Sequence, residues 1–328
     1  MRHINFSTKP EARADMPRPM SISVDHPNEM SGATDWDIDF HQIEPGPLQT
    51  RLTLFGAEDL QLAHLRMSRM VRQTGSPPKG WMTFGITDTT TIKSWQNQQL
   101  ERSSLLCFGS RDGFESTSLA GHDGLVISLS ERMLQQLSVV YDIDVTRLAG
   151  RTQIYAARDN HALLTGLRTL AITALADASD ASIDSLQEDL SFGILSFIDT
   201  GSEALIHVSP RYRDAVLRRA MSRILASAEE QVSIATICSD EGIPWRTLNR
   251  AFRDEFGIGP KTFHTYLRLN RVRFDLAHGS TAQSISDVAN RYDFWHMGQF
   301  AKDYRSLFGE LPSQTLSRAE PRRKNYLI

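Results

Sequence analysis

The chain has 328 residues, enough for two domains, and its 40% hydrophobic and 23% charged residues exclude a wholly disordered, collagen-like or disulfide-built protein. With two cysteines, no apolar run near the roughly 20 residues that span a bilayer and no signal-peptide core, we expect a reduced, cytoplasmic protein. The net charge of −3 divides into −9 for residues 1–210 and +6 for residues 211–328, and a basic C-terminal part indicates an anionic partner.

The first two thirds of the chain change in texture from strand to helix. Residues 1–34 are polar and contain four prolines, which predicts a mobile arm. Apolar and polar residues then alternate in short runs up to residue 130, as in Leu52–Phe55 and Leu60–Leu65, and glycines separate the runs. This pattern predicts an antiparallel sandwich or barrel. Three amphipathic helices are predicted to follow, over 131–140, 161–178 and 183–198.

The last third contains a weak internal repeat. Residues 201–210 are predicted to link a domain over 35–200 to a helical domain over 211–328. Within the helical domain, each copy of the repeat has a short apolar helix, a tight turn, a second helix and then Phe-Gly-x-x-Pro, which is a helix-turn-helix arrangement. Each turn needs a residue at positive φ. Gly242 provides it freely, whereas Asp293 adopts it at some cost that could loosen the second unit.

This double motif resembles the DNA-binding domain of the AraC/XylS family of bacterial transcription regulators. The resemblance covers about residues 211–318. It departs from the family pattern at Val272 and Asp293, where Ala and Gly are usual, and its last part is similar to the branch that includes ethanolamine-utilisation regulators. The residues that carry it are Leu248, Phe252, Phe256–Pro260, Arg268, Leu269, Phe294, Phe300, Tyr304 and Phe308–Pro312.

The resemblance implies an α+β protein and a role in transcription. Its N-terminal domain would be a cupin-like barrel or sandwich with dimerisation helices, which senses a small-molecule effector. Its C-terminal domain would be an all-α double helix-turn-helix. We expect a homodimer that binds double-stranded promoter DNA and recruits RNA polymerase as an activator.

The predicted recognition helix of the first unit runs from about Pro244 to Glu255. Its apolar residues lie on one side, and its basic and amide residues lie on the other, where they can reach base edges. The resemblance assigns base contacts to Arg246, Asn249 and Arg250. Phosphate or secondary contacts are predicted for Arg253, Met297, Lys302 and Arg305. The alternative for all of them is a solvated helix face.

The effector is harder to predict from the residues. Arg66, Arg69 and Arg72 lie close together in sequence and Trp81 follows, and arginine forks and tryptophan faces suit a phosphate-bearing nucleotide such as a cyclic dinucleotide. A solvated sheet face is the alternative interpretation of these arginines, and a small amine is a rival effector.

An enzyme is the competing class of function, and we predict that the chain is not one. It has no phosphate loop, no Gly-x-Ser-x-Gly motif and no cluster of metal ligands, and Cys107 lies in an apolar run without a nearby base. His41, His64 and His122 are isolated, so we expect neither a metal nor another cofactor. A DNA-binding protein without an effector is the second alternative.

Overall fold

The structure is a computed structural model. It describes residues 18–30, 34–87, 89–96, 98–100, 104–145, 150–157, 160–176, 183–199, 212–226, 233–278 and 284–324. The predicted linker over 201–210 and most of the predicted arm lie outside these ranges. Within them, the chain is α+β, with a sheet-rich N-terminal part and a helical C-terminal part, as predicted.

Eleven strands lie in the described part of the N-terminal domain. They are β1 (Met20–Val24), β2 (Asp37–Gln42), β3 (Thr50–Gly56), β4 (Leu60–Met67), β5 (Val71–Ser76), β6 (Trp81–Thr87), β7 (Ile92–Trp95), β8 (Ser104–Phe108), β9 (Phe114–Ser118), β10 (His122–Ser130) and β11 (Gln153–Ala156). The large sheet has the order β1-β3-β4-β10-β6-β8-β11, and the small sheet has the order β2-β5-β9-β7. The pairings are antiparallel.

The described ranges also contain ten α-helices. Three belong to the N-terminal domain: α1 (Glu131–Tyr141), α2 (His161–Ala176) and α3 (Ile183–Asp199). Seven form the helical domain: α4 (Tyr212–Ala226), α5 (Ile234–Asp240), α6 (Trp245–Phe256), α7 (Pro260–His278), α8 (Ile285–Arg291), α9 (Met297–Phe308) and α10 (Pro312–Lys324).

The large sheet is covered on both faces. Along β10, Leu125 and Ile127 pack into the core beneath α2 and α3, while Gly124 and Val126 face a cavity between the two sheets. This follows from the alternation of side chains along a strand. In β8 both faces are buried, so its sequence Leu105–Phe108 is continuously apolar rather than alternating.

Part of the predicted arm is a strand. Residues 20–24 form β1, which pairs with β3 in the register Ile22 to Leu52. Apolar and polar residues alternate along this segment, as they do in a strand. The prolines on either side of it make this pattern hard to recognise in the sequence. Ile22 and Val24 pack with Leu52 and Leu54 in a small apolar cluster at this edge of the large sheet.

The helical domain lies against the small sheet and is held by the edge strand β2. The side-chain amide of Asn270 in α7 pairs with the Gln42 backbone: its Oδ1 accepts from the amide nitrogen at 2.9 Å and its Nδ2 donates to the carbonyl at 3.0 Å. Gln42 in turn donates through Nε2 to the Leu307 carbonyl at 2.8 Å. Ile43 is buried in the same core as the helices of the first repeat. The two domains are therefore docked through both polar and apolar contacts.

Two buried histidines lie at this contact between domains. The amide of Asn28 donates to His26 Nδ1 at 3.3 Å, and His26 Nε2 lies 3.2 Å from Asn270 Oδ1, an arrangement that suits the neutral ring. Burial, then the charge of Arg273, lowers the pKa of His26 well below its usual value. Burial, followed by the charges of Arg72 and Arg271, lowers the pKa of His41 to about 3.

Acid should therefore destabilise the folded chain. Because the folded pKa values are depressed, the unfolded chain binds protons that the folded chain does not, and stability falls as pH drops below about 6.5. We expect each histidine to contribute a slope of up to about 1.4 kcal/mol per pH unit. Urea unfolding between pH 7.5 and 5 measures it. The variant His26→Gln/His41→Gln should flatten the slope, and the exposed control His161→Gln should not. Equal slopes in all three would contradict the assignment.

Candidate nucleic-acid interface and ligand cavity

The first helix-turn-helix unit consists of α5, a turn and α6. Ser233 caps α5 by accepting a hydrogen bond from the Thr236 amide at 3.0 Å. Gly242 adopts a φ of 62° in the turn. Leu248 and Phe252 are fully buried on one side of α6, as the sequence predicted. The opposite side of α6 therefore remains open to solvent.

The second unit consists of α8, a turn and α9, and its turn residue is Asp293 at a φ of 63°. The side chain of Asp293 is held in place. Arg268 of α7 donates to one carboxylate oxygen at 3.2 Å, and the Trp295 indole donates to the other at 2.7 Å. The Arg268 guanidinium also lies 4.9 Å from the centroid of the Phe294 ring. These contacts fix the Asp293 side chain, while its backbone keeps the left-handed conformation that the sequence predicted for this turn.

The repeated Phe-Gly-x-x-Pro motif ends one helix and starts the next. Gly257 and Gly309 have φ values of 72° and 75°, and each amide bonds back to the carbonyl four residues earlier. Pro260 and Pro312 are the first residues of α7 and α10, where a missing N–H is tolerated. The motif thus fixes the direction in which the chain leaves each recognition helix.

The open side of α6 carries three exposed arginines, Arg246, Arg250 and Arg253. Arg250 Nε lies 3.8 Å from Asp254 Oδ2, and its side chain is 71% exposed, so this ion pair leaves the guanidinium accessible. Asn249 is half-buried, and a Cβ added at Gly259 would lie 3.0 Å from its Oδ1. The arginines are therefore the more accessible of the predicted base-reading residues.

The open side of α9 carries fewer exposed basic side chains than that of α6. Lys302 and Arg305 are exposed, whereas Met297 is half-buried and packs on the core of the unit. Two exposed tryptophans escaped the sequence analysis. Trp245, 49% exposed, begins α6, and Trp295, 60% exposed, lies just before α9. A tryptophan occurs near the start of both recognition helices, and this repeat in the sequence could have indicated them.

A cavity of about 120 Å³ lies between the two sheets of the N-terminal domain. Aromatic side chains form much of its wall: Trp36, Phe40, Trp95, Phe108 and Phe114. The polar side chains in the wall are Asn28, Thr34, Gln73, Ser116 and His122. Burial lowers the pKa of His122 to about 4, so its ring is neutral at physiological pH. Among the described lining residues none is Asp, Glu, Lys or Arg.

One donor in the cavity wall lacks a partner. Trp95 is 2% exposed, and no group in the described part of the chain accepts a hydrogen bond from its indole N–H. An unpaired buried donor of this kind is unfavourable unless something accepts from it.

The structure does not bring the predicted effector residues to one site. Arg66, on the large sheet, donates to Asp123 at 3.1 Å, and Arg69, in the turn after β4, donates to Glu44 at 3.0 Å. Arg72, on the small sheet, is buried and donates to Glu115 at 2.7 Å. Trp81 begins β6, and none of the four lines the cavity. Each arginine already has a carboxylate partner that sequence proximity did not reveal, so the predicted phosphate clamp is not assembled.

The described residues were also compared with the requirements of a reactive thiol, a metal site and a membrane span. Burial raises the pKa of the Cys107 thiol to about 12, so it is not a thiolate at neutral pH. In the described ranges no three His, Cys, Asp or Glu side chains come close enough to hold a metal ion. No helix there is both long and apolar enough to cross a bilayer.

Comparisons with known proteins support the helix-turn-helix motifs of the C-terminal helical domain. A family model described as a helix-turn-helix domain matches residues 237–318. A probable thc operon regulatory protein of Rhodococcus erythropolis is 23% identical over 195 residues, which are 59% of this chain and 57% of that protein. The XylDLEGF operon transcriptional activator 2 of Pseudomonas putida is 44% identical over 73 residues, 22% of this chain and 46% of that one. The chain thus spans about half the length of these two relatives.

A solved structure is also similar to about a third of this chain. It is that of a probable AraC family transcriptional regulator from Rhodopseudomonas palustris, 32% identical to this chain. The match covers 32% of this chain and 97% of that one, with a TM-score of 0.31.

Two glycines of the helical domain should respond oppositely to alanine. A Cβ added at Gly257 or Gly298 would meet no atom within 4 Å. The backbone conformation at each glycine therefore determines how the substitution changes stability. Gly257→Ala places alanine at a φ of 72° and should destabilise the domain by about 1–2 kcal/mol. Gly298→Ala, at the second residue of α9, should stabilise it by up to about 0.5 kcal/mol, since glycine costs less in the first turn than in the middle of a helix. Urea unfolding followed by circular dichroism measures both, and changes of the same sign would contradict the assigned backbone conformations.

Proposed function

Because the chain belongs to the AraC/XylS family of transcription regulators, we propose that it binds promoter DNA sequence-specifically and activates transcription in response to a small-molecule effector. The observation that carries the proposal is the pair of recognition helices whose open sides are basic. In a helix-turn-helix the second helix of each unit enters the major groove. An anionic duplex is also the partner that a C-terminal part with a charge of +6 suits.

The first unit reads base edges. Arg246 and Arg250 lie one turn apart on the open side of α6, and an arginine fork can grip O6 and N7 of guanine. Asn249 lies between them and is the third base-contacting residue, able to pair with adenine. Arg253, one turn closer to the end of α6, contacts phosphate.

The second unit mainly positions the protein on the duplex. Lys302 and Arg305 contact phosphates, and Met297 makes an apolar contact. Phosphate contacts fix the register without carrying sequence information. Sequence discrimination therefore lies chiefly in the half of the site that α6 occupies.

The N-terminal domain senses the effector and pairs with a second copy. It is a cupin-like sandwich, and exposed apolar side chains on α1 and α3 support a dimer surface, since Val139, Val140 and Phe192 are 82%, 72% and 48% exposed. RNA polymerase is the further partner of the activator, and the regulator works in the cytoplasm.

The effector that the cavity suits is small, neutral and ring-shaped. A cavity of about 150 Å³ lined by apolar side chains binds benzene in another protein, so about 120 Å³ has room for little more than one ring. A phosphate or an ammonium group would be buried there without a charged partner, which is strongly unfavourable. The nucleotide and amine effectors are therefore disfavoured. The indole N–H of Trp95, from which no described group accepts a hydrogen bond, favours a ring with one acceptor atom.

Base and phosphate contacts should separate in a DNA-binding assay. Arg246→Ala and Arg250→Ala should each weaken binding to the cognate promoter by ~1–3 kcal/mol, because a bidentate base contact is lost. Lys302→Ala should weaken cognate and unrelated DNA alike and reduce the slope of log K against log salt by about 1. Genome-wide binding identifies the cognate sites, and fluorescence anisotropy at several salt concentrations measures the affinities. Unchanged cognate binding in both α6 variants would contradict the assignment.

Benzonitrile, a one-ring compound with an acceptor nitrogen, should bind the cavity. We expect it to raise the melting temperature of the chain more than equimolar toluene, which has the ring without the acceptor, because a ligand that binds only the folded state stabilises it. Ala63→Leu fills the cavity from β4 and should abolish the shift, whereas Ala162→Leu, on the exposed side of α2, should not. A shift of equal size in both variants would place the compound elsewhere.

A further inference from the structure

We propose that Trp295 contacts the methyl group of a thymine in the major groove, and that Asp293 fixes the indole ring in the position from which it makes this contact; this rests on the proposed DNA-binding function. The second unit then reads one base pair through an apolar contact, in addition to its phosphate contacts. Trp295 lies between the turn of the second unit and α9, and it is 60% exposed.

The exposed indole is held by the protein. Its N–H donates to Asp293 Oδ1 at 2.7 Å, and Arg268 of α7 donates to the other carboxylate oxygen at 3.2 Å. The Arg268 side chain is 17% exposed, so the carboxylate is anchored from the interior of the domain. A single exposed apolar side chain is ordinary on a protein surface. A tryptophan that is hydrogen-bonded into its exposed position is a more specific feature, because the bond limits how the ring can turn.

This hydrogen bond determines what the side chain can offer to DNA. The indole N–H is the one hydrogen-bond donor of a tryptophan side chain, and here it is directed at Asp293. What remains for a partner is the hydrocarbon of the ring, whose faces carry partial negative charge and therefore do not attract phosphate. The C5-methyl group of thymine is the apolar group that distinguishes one base from another in the major groove. The chemistry of the held ring thus favours thymine.

The location of Trp295 suits such a contact. Residues at the N-terminal end of a recognition helix reach base edges, and Trp295 lies two residues before Met297, which begins α9. The N-terminal domain contacts the opposite end of α9, where the Gly46 amide donates to the Leu307 carbonyl at 3.0 Å. The end of α9 that carries the indole therefore points away from this contact.

The surface that follows Trp295 is shaped for a nearby duplex. Gly298, in the first turn of α9, is exposed, and a Cβ added there would meet no atom within 4 Å, so the helix backbone is open to close approach. Lys302 and Arg305 are exposed and follow Gly298 at intervals of four and three residues, which places them on the same face of the helix. A duplex whose phosphates contact this basic pair lies along the face that begins at Trp295.

Asp293 has two properties that are unfavourable by themselves. Its φ of 63° is a left-handed conformation that glycine adopts more readily, and its negative charge lies on the side of the domain that approaches DNA. Arg268 balances that charge. The contact that a glycine could not provide is the hydrogen bond to Trp295, so Asp293 acts as a positioning residue.

The test removes single methyl groups from the DNA. Genome-wide binding of the full-length chain gives its strongest site, and each thymine of that site is replaced in turn by uracil, which lacks only the C5-methyl group. Fluorescence anisotropy measures the affinity of each duplex for the full-length chain and three variants, and circular dichroism verifies their folds. Trp295→Ala removes the ring, and Asp293→Gly keeps the ring without its anchor. Leu311→Ala, at a 37% exposed apolar residue beyond the other end of α9, is the control.

We expect uracil at one position to weaken binding of the unchanged chain about fourfold, which is the effect of one buried methyl group. Trp295→Ala and Asp293→Gly should bind the thymine and uracil duplexes of that position equally, whereas Leu311→Ala should still distinguish them. A pattern of uracil effects in Trp295→Ala that equals that of the unchanged chain would overturn the contact.

The other outcomes are also decisive. A site without thymine, or with no uracil effect at any position, would overturn the contact and leave the DNA-binding function standing. Full discrimination in Asp293→Gly, together with its loss in Trp295→Ala, would overturn the positioning role of Asp293. Equal affinity of the unchanged chain for its strongest site and for unrelated DNA would overturn the proposed function, and the contact with it.

Discussion

The amide of Asn270 is the contact on which the arrangement of the two domains depends. It pairs with both backbone groups of Gln42, the last residue of the edge strand β2, as a neighbouring strand would. An edge strand otherwise presents unpaired backbone groups that invite association with other chains. Here a helix of the DNA-binding domain pairs with the last residue of that edge, and beside it His26 contacts Asn270 and Ile43 packs in the core of the first repeat.

Docking arranges the molecule in layers. Helices α2 and α3 cover the large sheet, the cavity lies between the large and small sheets, and the helical domain covers the outer face of the small sheet. The open sides of α6 and α9 remain exposed in this arrangement. The proposed DNA-binding surface and the cavity thus lie in different parts of the molecule, on opposite sides of the small sheet.

The sequence predicted what local patterns determine. Helix periodicity located α2 and α3 within a few residues, and the repeated Phe-Gly-x-x-Pro predicted the helix ends at Gly257 and Gly309. Contacts between segments that are distant in the chain could not be predicted from these local patterns. Arg72 was grouped with Arg66 because the two are six residues apart, yet they belong to different sheets, and the carboxylates that pair with them follow much later in the chain.

The cavity could not be predicted from the sequence either, because it is also formed by segments that are distant in the chain. Its wall takes residues from both sheets, and in the sequence Phe40, Trp95 and Phe114 look like ordinary core residues. Their shared space appears only when the strands are paired. The exposed Trp245 and Trp295 were missed differently, because a large aromatic residue suggests a core position unless its environment is known.

Spin labels on the two domains test the docked arrangement most directly. Labels at Lys79→Cys and Thr262→Cys, both exposed positions, in a chain that also carries Cys238→Ser would leave the buried Cys107 as the remaining native thiol. Pulsed electron spin resonance on the full-length protein should give one narrow distance distribution, which Asn270→Ala broadens. A broad distribution in the chain that retains Asn270 would show that the domains move independently, and would contradict the account.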